Sequence, residues 1–237
     1  MIYFMYLIFY VVIIMFDFKK VPLPDYSRLE DGINSVTHFL GLPIVIITAV
    51  MSLIKLGGSA SATQKAAIII CAVSSAIMYG GSAFYHGLKP SDLKRFARVL
   101  DHSNIFLMIS GTLTAFYLLG VIQTERQLAI GLTIFSWAVS VIGILLTFMD
   151  LHKFRKVQMA MYITLGWTAI IGIVKLWNAG DNMRHFLLLV GIGGVLYTLG
   201  AIVYGIGKKI KYVHAVFHIF VLAATIVQFC GIYIYML

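Results

Sequence analysis

The sequence predicts an all-α, polytopic membrane protein: a bundle of seven transmembrane helices, with a further apolar helix at the N-terminus. Three observations carry this. The 237 residues are 61% hydrophobic and only 11% charged. The mean hydropathy is +0.96. The apolar residues fall into runs of about 20, the length that crosses a bilayer, separated by short polar turns. No soluble domain of this length has such a composition.

The elements follow in order. Residues 1–16 are an uninterrupted apolar and aromatic run, closed by Asp17, Lys19 and Lys20. The run lacks a basic leader and a small-residue cleavage site, so it does not read as a signal peptide. An eighth helix, an interfacial helix and a translated upstream region are the alternatives; a membrane-associated helix is the reading carried forward. Residues 1–20 are thus an extension, and 21–237 form one seven-span domain. Its spans are expected at 35–56, 66–86, 102–122, 128–149, 157–177, 183–206 and 212–236. Turn and charge residues such as Lys89-Pro90-Ser91-Asp92 and Asn178-Ala179-Gly180-Asp181 separate them. Span six is rich in small residues (Gly191, Gly193, Gly194, Gly200) that let membrane helices approach closely. Packing within the chain is the expected use, with a dimer face as the alternative.

The net charge of +9 does not point to nucleic acid, because the basic residues sit in short loops beside apolar runs. There they act as orientation signals and contacts to anionic headgroups. Thirteen of the 18 Lys and Arg fall in alternate segments: Lys19, Lys20, Arg28; Lys89, Lys94, Arg95, Arg98; Lys153, Arg155, Lys156; and Lys208, Lys209, Lys211. The positive-inside rule makes these segments cytoplasmic. The residues before span one are then inside and the C-terminus outside, with the plasma membrane as the expected location. Cys71 and Cys230 lie inside apolar runs and form no disulfide framework.

The residues of chemical interest gather at one depth. His214 and His218 are four apart, on one helix face. His86 ends span two, and Asp101 and His102 open span three. Asn34 and His38 lie at the start of span one. The charge count puts all of them in the cytoplasmic third of the membrane, where an ionisable group is costly and marks function. His86, His214 and His218 supply three nitrogens and leave one tetrahedral position open. That is the pattern of a catalytic zinc, which acidifies a bound water and polarises a carbonyl. No glutamate lies between His214 and His218, so a zinc-protease HExxH motif is excluded. Asp101 is the available base, or alternatively a carboxylate orienting a ligating imidazole. Ser82, one turn before His86, is placed to hydrogen-bond the water or the substrate. His152 and His185, in or near loops, are expected to be solvated.

Four stretches together resemble the hemolysin III family, grouped with the progestin and adiponectin receptors and, more distantly, the alkaline ceramidases. They are the segment from Asp31 to His38, Ser82-Ala83-Phe84-Tyr85-His86, the Leu100 to Ile105 stretch with Ser110-Gly111-Thr112, and His214-Ala215-Val216-Phe217-His218. The resemblance implies a seven-helix bundle with a cytoplasmic N-terminus. It implies zinc on His86, His214 and His218, with Ser82 and Asp101 around the metal water. Asn34 and His38 match the family motif and, with His102, are expected to support the ligating side chains. The resemblance further implies hydrolysis of a lipid amide or ester, with membrane lipids as partners. The apolar residues 1–16 depart from the family's short polar lead. A receptor or regulator with structural zinc is one alternative function. A pore-forming hemolysin, acting by cytolysis, is another. No span carries the sustained polar stripe that a pore needs.

Overall fold

The computed structural model describes residues 18–207 and 210–237. The apolar run at residues 1–16 lies outside them. Among the described residues seven helical spans are long and apolar enough to cross a membrane. Span one is two helices, α1 (Arg28–Phe39) and α2 (Gly41–Leu56). Span two is α3 (Ala62–Gly87). Span three is α4 (Asp92–Ala115), prolonged by a π turn to Gly120 and a 3-10 turn to Gln123. Span four is α5 (Arg126–Asp150). Span five is α6 (Arg155–Trp167) with α7 (Ala169–Leu176). Span six is α8 (Asp181–Ile206), and span seven is α9 (Val213–Gly231) with a closing π turn.

Local chemistry sets the boundaries. Ser27 caps α1 through a capping box, its hydroxyl accepting from Glu30 N at 3.2 Å while Glu30 accepts from Ser27 N at 3.0 Å. Ser61 and Gln64 repeat the device on α3. Span one therefore starts at Arg28, not at residue 35. Its first turns are polar, so hydropathy does not register them. The break between α1 and α2 falls at Leu40, just ahead of Pro43. A continuous helix would set the Pro43 ring against the Phe39 carbonyl and leave that carbonyl without a donor. In the first turn of α2 the same proline costs little. Gly41 also allows this crossing: a Cβ there would come within 2.4 Å of the Tyr79 ring.

The bundle buries an apolar core set with hydroxyls and histidines, and it turns further apolar side chains outward. Ile54 and Ile206 are 74% and 78% exposed, facing where lipid would lie. The interior is stitched by hydroxyls. Thr225 takes Tyr79 at 2.7 Å and Tyr197 at 2.9 Å, joining spans two, six and seven. In a bilayer apolar burial drives helix association weakly, so close packing and such bonds hold helices together. Span six uses its small residues within the chain: Gly193 packs on Gln228 and Gly200 on Phe217 and Phe220. Cys71 is buried, Cys230 is exposed, and both are free.

Candidate metal centre

The spans alternate in direction, so the last turn of α3 and the first turns of α1, α4, α6 and α9 meet at one end of the bundle. His86 arrives there from α3, and His214 and His218 from α9. The Nε2 atom of His214 lies 3.1 Å from Nε2 of His86 and 3.1 Å from Nε2 of His218. The three residues form a group able to hold a metal ion.

The outer nitrogens fix what the inner ones present. His86 Nδ1 is 3.0 Å from Asp31 Oδ1. A carboxylate paired with Lys94 only accepts, so Nδ1 carries the proton and Nε2 turns a lone pair inward. His218 Nδ1 is 3.1 Å from the Asn34 carbonyl oxygen and 3.1 Å from Thr37 Oγ1. The Thr37 hydroxyl donates to backbone carbonyls of its own helix. His218 Nδ1 is again the donor, and its Nε2 is again a lone pair. His214 Nδ1 is buried without a partner. Three neutral imidazoles in this arrangement have at most one proton for three converging nitrogens. A cation at their centre satisfies all three at once, so the donor set fits a metal.

Behind the ligands stands a second set of contacts. Asp31 also takes Lys94 Nζ, a buried ammonium that donates to the Leu88 carbonyl at 2.9 Å. The chain Lys94–Asp31–His86 orients one imidazole, the arrangement that commonly tunes metal ligands. His38 is buried and stacks flat on His218, ring centroids 3.4 Å apart. Its own nitrogens stand outside the three-histidine group. The Asn34 contribution is its carbonyl rather than its amide. His102 lines the adjoining cavity, and its backbone carbonyl accepts from Tyr162 at 2.7 Å. Asp101 stands beside Ser82 and within electrostatic range of His86, and both Asp101 and Ser82 line that cavity. His152 and His185 are exposed, away from the group.

An N-terminal strap covers the centre. The Tyr26 ring stacks on His214 at 5.5 Å and tilts over His86 at 5.9 Å. Arg95 and Arg98 hold the strap by donating to the Val21 and Pro22 carbonyls. Burial, then the nearby Tyr204, pushes the Tyr26 phenol above its usual range, which keeps it neutral.

From the centre a cavity of about 190 Å³ extends into the bundle. Its near wall is His38, Ser82, Asp101, His214 and His218; its far wall reaches Phe116 and Ile232. Asp101 and Phe116 are 15 residues apart on one span, roughly 22 Å at 1.5 Å per residue. The cavity therefore runs through most of a bilayer's hydrocarbon depth.

The family model described as "Haemolysin-III related" matches residues 26–229. The chain belongs to the haemolysin-III family. It is 30% identical over 210 residues to "Hemolysin-3 homolog" of Bacillus subtilis (strain 168), covering 89% of this chain and 96% of the relative. It is 29% identical over 208 residues to "Hemolysin-3" of Bacillus cereus, covering 88% and 92%. A more distant relative is "Adiponectin receptor protein" of Drosophila melanogaster, 24% identical over 244 residues, covering 90% of this chain and 54% of the relative. Family and fold together make the chain a multi-pass membrane protein.

Several residues at the centre carry no assigned role in the sequence reading. Asp31, rather than Asp101, is the carboxylate on His86. Lys94, Thr37 and Tyr26 likewise gain their place at the centre only from the fold. For Asp31 a signal exists: Asp31, Asn34 and His38 follow helical spacing, and Ser27-x-x-Glu30 announces the helix that aligns them. Lys94 and Tyr26 have no such local signal, since they meet the site only through the folded chain.

Proposed function

We propose that this haemolysin-III protein is a zinc-dependent hydrolase of lipid amides or esters, working at the cytoplasmic side of the plasma membrane. The observation that carries the reading is the convergence of three inward-facing Nε2 atoms at the head of a long apolar cavity. His86, His214 and His218 would hold the ion, with Asp31 and the Asn34 carbonyl fixing two of the rings. When bound, zinc supplies Lewis acidity that acidifies a water and polarises a carbonyl. Asp101 accepts the proton of the attacking water and returns it to the departing amine or alcohol. Ser82 holds the water or the carbonyl oxygen by a hydrogen bond. The cavity takes the acyl chain, and its low polarity strengthens every charge interaction at the reacting carbonyl.

The orientation rests on the basic segments, which flank the His86 end. Two bacterial relatives carry hemolysin names. Against a pore reading stands the cavity wall, mostly Ile, Leu, Met, Val and Phe below the histidines. Structural zinc in a receptor remains the rival reading, and turnover separates the two. The test is hydrolysis of a panel of lipid amides and esters by detergent-purified protein, beside Asp101→Asn. Release of fatty acid by the wild type alone supports the reading. A zinc-loaded wild type that turns over none of them supports structural zinc.

A further inference from the structure

One buried polar side chain on the cavity wall has no task in the scheme above. Gln158, on the first turns of α6, is 1% exposed, and neither its Nε2 nor its Oε1 has a partner. The side chain does not serve the helix, whose backbone bond from Gln158 N to Phe154 O is formed at 2.8 Å. It lines the cavity that also holds Asp101 and His102. Its level is fixed by its neighbour: Tyr162, one turn further on the same face, reaches the His102 carbonyl. Gln158 thus stands within about a turn of Asp101 along the bundle axis. An amide buried in a membrane bundle without partners is costly and marks a function.

We propose that Gln158 binds the polar half of the lipid, taking a neutral group that both donates and accepts a hydrogen bond. This rests on the lipid-site part of the proposed function. The chemistry of the amide selects the ligand class. Oε1 needs a donor and Nε2 needs an acceptor. A carboxylate or phosphate only accepts and would leave Oε1 unpaired. A hydroxyl or secondary amide answers both. Arg155, the cation an anionic head would call for, lines the same cavity one turn before Gln158 and is partly exposed, but it gives an anion no means of donating to Gln158 Oε1. The ligand is accordingly a lipid whose neutral head carries a hydroxyl or N–H beside the scissile bond, with its chain directed down the cavity.

The test uses a lipid that cannot be hydrolysed: a 1-O-alkylglycerol with a brominated chain, beside its dimethyl ether, which keeps the shape but has no donor. Trp167 lines the cavity, so Kd is read from its quenching, with Trp167→Phe as the blank. The wild type binds the alkylglycerol about tenfold tighter than the ether, the effect of one net hydrogen bond. Gln158→Met, nearly the same size, removes that preference by weakening the alkylglycerol alone, and its Tm does not fall. Equal binding of both probes to the wild type would overturn the proposal, even if the variant fails to fold. Equal weakening of both by Gln158→Met would also overturn it, reducing Gln158 to packing. No turnover is read, so absence of hydrolysis would defeat the hydrolase reading and leave this subsite standing.

Discussion

Two polar regions are buried in this bundle, and they are built differently. Between spans three and four, Ser110 meets Ser140 at 2.6 Å and donates to the Ser136 carbonyl at 2.9 Å. Ser140 reaches the Phe106 carbonyl at 3.0 Å, and Trp137 reaches Thr114 at 2.9 Å. Each of these donors ends on an oxygen of the protein, so the network is closed. At the His86 end the polar groups are also largely buried, but their free valences point inward. Three Nε2 atoms face one another, and His214 Nδ1 has no partner. A closed network stabilises; an open one stores the capacity to bind. The same residue types in the same membrane serve either end, according to whether their bonds are completed by the protein.

The contrast is broken hardest by removing ligands. His214→Ala/His218→Ala is expected to abolish metal binding and lower turnover about a thousandfold or more, since the ion's contribution is several kcal/mol. Metal retained in that variant would move the site elsewhere. Asp101→Asn is expected to keep the metal while turnover falls about 10²–10⁴-fold, the range for a lost general base. A parallel loss of metal would instead make Asp101 a ligand. Asp31→Asn is expected to weaken zinc affinity about 10–100-fold, read by chelator competition, with activity recovered at excess zinc. Unchanged affinity would show that the Lys94–Asp31–His86 chain does not tune the metal.

The closed network answers in the opposite currency. Ser140→Ala is expected to lower stability by about 0.6–1.7 kcal/mol, the range for hydrogen bonds between membrane helices. Metal content and turnover should not change. A Ser140→Ala protein of normal Tm but reduced metal would dissolve the distinction between the two regions.

Much of this architecture was legible in the chain. The seven spans stand out because a bilayer demands long apolar runs, and the alternation of basic segments brings His86, Asp101, His214 and His218 to one level. The pair His214 and His218 announces itself by helical spacing. What escaped has physical causes. The polar turns of α1 hide from hydropathy, so the Asp31 to His38 motif alone does not reveal the contact of Asp31 with His86. Lys94 reads as a topology signal among Lys89, Arg95 and Arg98, yet it is buried against Asp31. Gln158 stands at the start of an apolar run, two residues after Lys156, and only the cavity shows that it lacks a partner.

The central claim is that three histidines from two helices hold one metal ion. The direct measurement is metal content by mass spectrometry of the detergent-purified protein, beside His214→Ala/His218→Ala. The account predicts about one zinc per chain, as a three-histidine site with one open position binds, and none in the variant. A folded wild type without metal would contradict it.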